Sequence, residues 1–205
     1  MVDGLYHRAV ATKDERRAQL TAVYREARGC TRCPELASTR RQVVFGAGNA
    51  DADLMFVGEA PGAKEDEQGI PFVGAAGKLL SQLLEEVGLA RSDVFIANVL
   101  RCRPPANRTP RRSEVQRCRP WLSRQLDLVD PVVVVALGGT AAQWFFGTGA
   151  RIAALRGQPR AYDGRQVLVT YHPSAAIRFG PRGAPLAALR EDLALAAGLV
   201  AAARR

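Results

Sequence analysis

Three short stretches of the chain carry the side chains best suited to chemistry. The first, residues 58–77 (GEAPGAKEDEQGIPFVGAAG), holds the carboxylates Glu59 and Glu65 and the ring of Phe72 among five glycines. Carboxylates can orient water or take up a proton, and glycines let a backbone approach a ligand closely. An irregular connection would also be rich in glycine, so composition alone does not distinguish a pocket wall from a plain loop.

The second and third stretches place single polar groups beside apolar runs. Asn98 lies near the end of VFIANV (94–99), and His172 belongs to YHPS (171–174). An amide can read the polar edge of a planar ligand, and a histidine can donate a hydrogen bond to a leaving group. Taken singly, each residue suits a structural role at least as well.

All four cysteines fall into two pairs. Cys30 and Cys33 form a CxxC pair, and fifteen residues separate Cys102 from Cys118. In a reducing compartment such thiols are more often metal ligands or buried apolar groups than disulfides. The pattern predicts a four-thiolate site, which by spacing suits zinc and an iron–sulfur cluster equally well.

The chain is strongly basic, with a formal net charge of +9 that comes almost entirely from arginine. Eight arginines and one acid, Glu114, lie between positions 101 and 124. Such a local basic surface favours a polyanionic partner, because cations set against phosphates release condensed counterions. A solvated face, or a general bias toward arginine, would give a similar count.

A pattern of alternating strands and helices positions these candidates. Strands joined through helices imply a parallel sheet between two helical layers. The carboxyl ends of parallel strands share one edge, so residues 58–77, Asn98 and His172 are expected to converge on one crevice. Strands are predicted at 53–58, 94–99, 131–137 and 167–170, and helices at 13–28, 76–88, 113–128 and 185–203.

Local signals refine this scheme. Residues 43–45 predict a short strand or extended segment, and GGTAAQWFFG (138–147) predicts a turn and a short helix. Ser113 and Gln116 have the spacing of a capping box, which places the start of the third helix at Ser113.

The length and composition favour one domain over residues 1–205, with loose ends at 1–12 and 200–205. No apolar run reaches transmembrane length, and the polar start does not match a signal peptide. We therefore expect a soluble, cytoplasmic, nucleoid-associated monomer that makes no contact with a membrane.

Taken together, the motifs closely resemble those of the family 4 uracil-DNA glycosylases, the iron–sulfur branch of that superfamily. The similarity extends from about residue 30 to 180 and includes all four cysteines. The matching motifs are GEAPG at 58–62, ED at 65–66, GIPFVGAAG at 69–77, ANVLRCRPP at 97–105 and YHPS at 171–174.

The resemblance implies a three-layer α/β/α sandwich around a four-stranded parallel sheet. It implies hydrolysis of the N-glycosidic bond of deoxyuridine in single- or double-stranded DNA, the first step in base-excision repair of deaminated cytosine. It also implies that the four cysteines bind a [4Fe–4S] cluster, for which we expect a structural role.

The resemblance further implies roles for individual residues. Phe72 is expected to stack on the extruded uracil, Asn98 to read its edge, and His172 to donate to O2 as negative charge develops. Backbone amides of Gly58 and Ala60 are expected to bind the base. Glu59 is the first candidate for orienting water; Glu65 is the second, and it could instead border C5 of uracil and exclude thymine.

A DNA surface is implied on two sides of this crevice. The segment after His172 matches a loop that enters the duplex in related enzymes, and which of its side chains inserts is left open. The candidates there are Ser174, Ile177, Arg178 and Phe179, and on the basic surface they are Arg101, Arg103, Arg108, Arg111 and Arg112.

Three rival interpretations are weaker. A relative that traps itself covalently on uracil DNA needs a nucleophilic histidine in the basic loop, and residues 107–115 contain none. A non-catalytic zinc-bound DNA-binding module has no need for Glu59, Phe72, Asn98 and His172 around one crevice. A nucleotide-binding oxidoreductase needs GxGxxG after the first strand, and GEAPG does not supply it.

Overall fold

The computed structural model describes residues 12–204, and its strands form one mixed sheet. Within that range the strands are β1 (Ala47–Gly48), β2 (Leu54–Gly58), β3 (Phe95–Asn98), β4 (Val133–Leu137), β5 (Arg160–Tyr162) and β6 (Arg165–Thr170). Their order across the sheet is β1-β3-β2-β4-β6-β5. The four central strands run parallel, and β1 and β5 pair antiparallel at the edges. The predicted α/β fold and its parallel core are confirmed, and the predicted strand number is corrected from four to six.

The central strands are buried on both faces, which explains their continuous apolar character. Successive side chains alternate between two cores. In β2, Met55 and Val57 enter one core, while Leu54 and Phe56 enter the other. The structure therefore has the predicted three layers, with helices on both faces of the sheet.

The helices enclose the sheet from two sides. The first core lies under α1, α2, α5 and α6, and the second under α4, α8 and α9. Within the described residues no helix is long and apolar enough to cross a membrane. The helices are α1 (Lys13–Arg28), α2 (Pro34–Thr39), α3 (Ala63–Gln68), α4 (Ala75–Glu86), α5 (Arg112–Val129), α6 (Gly139–Phe146), α7 (Ile152–Leu155), α8 (Pro173–Phe179) and α9 (Ala184–Ala203).

Several local predictions need correction. Residues 58–77 contain α3, which at six residues is too short to show helical periodicity in the sequence. Helix α5 begins one residue before Ser113, because the Glu114 side chain accepts from the Arg111 amide at 2.7 Å and caps the helix there. Residues 43–45 form no strand, so of the two predicted alternatives the strand is wrong; the Val44 amide donates to the Arg101 carbonyl at 2.9 Å.

The predicted loose ends have different outcomes. Helix α9 continues through Ala203, and Val200 is buried against the second core, so the chain is ordered beyond residue 200. Thr12 caps α1 in a capping box with Glu15. The rest of the predicted N-terminal loose end, residues 1–11, lies outside the described residues.

Candidate active site

A pocket of about 240 Å³ opens at the edge of the sheet where the parallel strands end. Residues from all three predicted stretches line it, among them Glu59, Phe72, Asn98 and His172. The sheet register explains the convergence, because Gly58 at the end of β2 pairs directly with Asn98 at the end of β3. We refer to this cavity as the edge pocket.

Asn98 presents an unsatisfied acceptor to the edge pocket. Its side chain is 2 % exposed, and its Oδ1 atom is buried without a hydrogen-bond partner among the described residues. A buried carbonyl oxygen in this state costs about 1–3 kcal/mol. The cost is recovered when a ligand with an N–H donor enters, so the position is prepared for a donor on the ligand.

Gly58 is required because Asn98 and Phe72 occupy the space beside it. A Cβ atom at position 58 would lie 2.5 Å from Asn98 Oδ1 and 2.6 Å from Phe72 Cζ. Any side chain there would displace the amide or the ring. Gly58 therefore has a steric role, since its lack of a side chain lets the ring and the amide share one wall. The predicted binding of the base by its backbone amide stays a prediction.

Phe72 is held in an unusual backbone conformation. Its φ angle is +53°, which costs a non-glycine residue about 1–2 kcal/mol. Arg91 donates to the carbonyl of Pro71 just before it, and Gly77 packs so closely that a Cβ atom would lie 1.8 Å from the Phe72 carbonyl oxygen. The ring lies 5.4 Å from the His172 ring, centroid to centroid, at an angle of 31°. These contacts fix a flat apolar wall.

Glu65 acts as a clamp on this loop. Its carboxylate accepts from the backbone amides of Gly62 at 3.1 Å, Val73 at 2.9 Å and Gly74 at 2.8 Å. The start of α3 and the start of α4 are thereby tied to one side chain, and Phe72 lies between them. Glu65 lines the edge pocket, but both of its oxygens are engaged with the backbone.

His172 is held as a neutral ring with a defined proton. Its Nδ1 atom accepts from the Ser174 amide at 3.1 Å at the start of α8 and lies 2.8 Å from Ser174 Oγ. The proton of the neutral ring is therefore on Nε2. Burial lowers the pKa of His172 to about 4, and the nearby Glu65 carboxylate opposes this shift only in part. At neutral pH the ring is an uncharged donor.

Thr140 is a site residue that the sequence reasoning missed. Its hydroxyl donates to the Oε2 atom of Glu59, and Glu59 lines the edge pocket together with Ala60. Thr140 follows the end of β4 by three residues, at the same sheet edge as the other site residues. The sequence already places Thr140 just after a predicted strand, but only a turn and a short helix were predicted there.

One predicted DNA contact is wrong. Arg101 is 2 % exposed, and its guanidinium donates to the Asn98 carbonyl and to the side chain of Gln125. A buried group with both ends engaged cannot reach a phosphate. Burial lowers the pKa of Arg101 to about 10, so it remains charged at neutral pH as a support beneath Asn98.

The other arginines of this segment differ in how far their charge is already paired. Arg108 lines the edge pocket and bonds the Glu114 carboxylate at 3.0 and 2.6 Å, and Arg111 pairs with Glu35. Arg103 donates to the Asn107 side chain at 2.7 Å. Arg112 is exposed and forms no ion pair with a described carboxylate. DNA contact by these four stays a prediction.

The segment after His172 is helical and displays apolar groups. Phe179 is 66 % exposed and Ile177 is 49 % exposed, while Ser174 lines the edge pocket. Arg178, between the two apolar residues, is also exposed. Large apolar side chains beside a polar pocket are suited to insertion into another molecule.

The four cysteines surround a second pocket beneath the arginine-rich segment. All are free thiols, and Cys102 and Cys118 are buried. Arg40 donates to Cys102 Sγ at 3.3 Å and to the Cys30 carbonyl at 2.8 Å. We refer to this as the cysteine pocket.

The cysteine pocket fits a group that soft sulfur ligands bind. Burial raises the pKa of Cys118 to about 11, so metal binding there must displace a proton. Within residues 12–204, no three His, Cys, Asp or Glu side chains converge closely enough to hold a single metal ion. All four cysteines nevertheless line the same pocket.

The geometry of the edge pocket defines a class of protein: an α/β protein that brings a fixed aromatic ring, a buried amide with an unpartnered oxygen and a neutral histidine together at one edge of its sheet. A family model described as the Uracil DNA glycosylase superfamily matches residues 45–194. The chain therefore belongs to this superfamily.

Individual relatives narrow the comparison. The Type-4 uracil-DNA glycosylase of Thermotoga maritima is 48% identical over 151 residues, covering 73% of this chain and 78% of its own. That of Archaeoglobus fulgidus is 45% identical over 166 residues, covering 77% and 83%. A Type-5 uracil-DNA glycosylase of Pyrobaculum aerophilum is 34% identical over 177 residues, covering 71% and 78%.

Proposed function

We propose that this protein is a uracil-DNA glycosylase that hydrolyses the N-glycosidic bond of deoxyuridine in DNA. The products are free uracil and an abasic site, which base-excision repair then processes. The single observation that carries the proposal is the buried, unpartnered Oδ1 atom of Asn98 in a pocket walled by Phe72 and His172. Family membership and the names of the relatives support the same activity.

Base recognition depends on the amide of Asn98. Its Oδ1 accepts from uracil N3–H, and its amino group donates to O4, while the Phe72 ring stacks on the face of the base. Cytosine presents an acceptor at N3 and a donor at position 4, so both contacts would be lost. Each unpaired buried group costs about 1–3 kcal/mol, which provides the selectivity.

Departure of the base depends on His172. As the C1′–N1 bond lengthens, the sugar acquires oxocarbenium character and negative charge accumulates on uracil O2. The neutral imidazole donates its Nε2–H to this oxygen, and a backbone amide of Gly58 or Ala60 adds a second donor. Because Ser174 holds Nδ1, the ring does not need to reorient during the reaction.

We assign water positioning to Glu59 and loop stabilisation to Glu65. Glu59 has one oxygen held by Thr140 and the other free to accept from water near C1′. Glu65 already accepts three backbone hydrogen bonds, so it is better suited to fixing Phe72 than to activating water. Exclusion of thymine by Glu65 stays a prediction.

We propose that Cys30, Cys33, Cys102 and Cys118 bind a [4Fe–4S] cluster. All four thiols line one pocket, and four cysteine thiolates are the ligand set of a [4Fe–4S] cluster. The names of the Type-4 relatives support the same assignment. When bound, the cluster would supply structural cross-links; hydrolysis of a glycosidic bond transfers no electrons.

DNA engagement is assigned to α8, which begins beside the edge pocket. Ile177 and Phe179 on α8 are the candidates for the wedge that fills the space of the extruded base, with Arg178 on the adjacent phosphate. Action as a single-domain monomer, location in the cytoplasm and use of single- or double-stranded DNA stay predictions.

The test uses a labelled oligonucleotide with one central uracil, incubated with protein in excess and then treated with alkali. We expect strand breakage at the uracil and none in a matched oligonucleotide carrying thymine or cytosine. His172→Ala should slow the reaction by on the order of 10²-fold or more. The control, Arg190→Gln, alters an exposed arginine paired with Glu86 on the helical layer of α4 and α9 and should cleave normally.

Two outcomes would contradict the proposal. Wild-type protein that binds the uracil oligonucleotide but leaves it unbroken after alkali treatment would indicate a purely binding role. A protein–DNA adduct that survives SDS would indicate covalent trapping. Release of uracil at wild-type rates by His172→Ala would leave the activity intact and overturn the role of His172.

A further inference from the structure

A groove of about 440 Å³ lies beside the edge pocket and has no part in the chemistry described above. Its two sides are α5 and α6. Arg112, Gln116 and Arg119 follow one another at helical spacing, so they share one face of α5. Gln143 and Thr148 line the opposite side. We refer to it as the arginine groove.

The charge of the arginine groove is positive and not neutralised by the protein. None of the described residues that line it is acidic, and neither Arg112 nor Arg119 pairs with a described carboxylate. The contrast with Arg108 and Arg111 is informative, because Glu114 and Glu35 already neutralise those two. The arginine groove therefore retains cationic charge that the neighbouring surface has lost.

Arg119 is held in place before any ligand arrives. Its guanidinium lies 4.1 Å from the centre of the Trp144 ring and donates to the Trp144 carbonyl at 3.1 Å and to the Tyr162 hydroxyl at 3.3 Å. All three partners are neutral. A fixed arginine without a counter-charge loses little conformational entropy when it binds an anion.

The arginine groove and the edge pocket are linked by a hydrogen bond. Thr140 lines the arginine groove, and its hydroxyl bonds Glu59, which lines the edge pocket. Arg112 and Arg119 are seven residues apart, about 10 Å along the helix axis, so they can contact separate phosphates of one strand. A strand that delivers one nucleotide to the edge pocket has its neighbouring phosphates within reach of this groove.

From these observations we infer that the arginine groove binds the phosphodiester backbone of the DNA strand that carries the target nucleotide, through Arg112 and Arg119. The inference rests on the proposed function, and it extends the contacted strand beyond the edge pocket toward α6. Gln116, Gln143, Thr109 and Thr148 provide uncharged groups that can bond phosphate oxygens without reading sequence.

The test measures the salt dependence of binding to a duplex with a non-cleavable abasic analogue, between about 50 and 200 mM salt. Each phosphate contact contributes about 0.9 to the slope of log K against log salt. Arg112→Gln and Arg119→Gln should each reduce the slope by about that amount, and the double variant by about twice as much. Arg119→Lys keeps the charge and should keep most of the slope. Arg190→Gln, which removes a remote cation, should leave the slope unchanged.

Slopes of Arg112→Gln and Arg119→Gln equal to that of Arg190→Gln would overturn the inference. Arg119 also packs on Trp144, so Arg119→Gln could lose stability, which its thermal midpoint would show. In that case the slope of Arg112→Gln alone tests the inference, because this variant removes an exposed side chain. Uracil release by the wild type is measured in parallel. Reduced slopes of the two variants, together with no uracil release by the wild type, would overturn the proposed activity. They would still support phosphate binding in the arginine groove.

Discussion

The edge pocket and the cysteine pocket differ in how much of their structure is complete without a bound group. In the edge pocket the loop carrying Phe72 is fixed by Glu65 and Arg91, His172 is fixed by Ser174, and Asn98 Oδ1 is left for a ligand. In the cysteine pocket, Arg40 makes the one side-chain hydrogen bond to a thiol found among the described residues.

The difference teaches that specificity and stability reside in different parts of the molecule. The edge pocket is held in place by the protein's own hydrogen bonds, and one of its buried atoms is left for a ligand. The cysteine pocket is lined by residues of α1, α2 and α5, and under the proposed function its bound group would cross-link them. Arg101 connects the two, because it adjoins Cys102 in the chain while its guanidinium supports the Asn98 carbonyl. Damage to the cysteine pocket should thus reach the edge pocket, whereas the reverse should not occur.

The largest expected effect separates the two pockets most clearly. Asn98→Ala should reduce single-turnover cleavage of uracil DNA by about 10³-fold, or about 4 kcal/mol, because both base-reading contacts disappear. The thermal midpoint should shift by only a few degrees, since Oδ1 supports no described group. Parallel rate and melting measurements check this. A loss of about 4 kcal/mol in the free energy of unfolding, equal to the loss in activity, would show that Asn98 has a structural role.

Breaking the cysteine pocket should reduce stability directly. Cys102→Ser should lower the thermal midpoint by about 10 °C, the shift expected for about 3–4 kcal/mol in a chain of this size. Visible absorption near 400 nm should disappear with it. The control Ser113→Ala changes an exposed residue of α5 and should leave both unchanged. Full colour and stability in Cys102→Ser would remove Cys102 from the ligand set.

A smaller effect tests the support of Glu59. Thr140→Val removes the hydroxyl that holds the Glu59 carboxylate and should lower kcat about tenfold, with KM nearly unchanged. Thr140→Ser keeps the hydroxyl and should recover most of the rate. Equal rates for the two variants would show that the threonine acts through packing rather than through its hydrogen bond.

The last effect concerns pH and is confined to acid conditions. The pKa of His172 is about 4 when folded, below its usual value near 6.5, so the folded protein binds fewer protons between these values. Stability should therefore fall as pH decreases from about 6.5 to 4 and should not depend on this group above 6.5. The rate should likewise lose its His172 contribution only near pH 4. Melting curves of His172→Gln should lack this acid-side slope; an unchanged slope would assign it to another group.

The sequence allowed most of the edge pocket to be predicted because the strand pattern is local. Four apolar runs predict four parallel strands, and their shared edge brings Asn98 and His172 near residues 58–77. Thr140 was missed although it follows a strand in the same way. The edge strands β1 and β5 were missed because they are short and largely exposed.

The predictions for charged residues were less successful. A count of arginines in the sequence does not distinguish the buried Arg101 from the paired Arg108 or the unpaired Arg112. Glu65 was grouped with Glu59 as a water-orienting residue, whereas the structure shows it bound to three backbone amides. The hydrogen-bond and ion-pair partners of these residues lie far away in the chain or in turns. Turns have no periodic sequence pattern, so these partners could not be predicted.

The sequence by itself determined the parallel core, the edge at which the site forms, the cysteine set and the overall basic charge. These follow from the types and spacing of neighbouring residues. Only the tertiary structure decided which arginines keep a free charge, how Phe72 is held at a positive φ, and that Asn98 Oδ1 has no partner. The physical reason is that a hydrogen bond or ion pair depends on distances of a few ångströms between groups that only packing brings together.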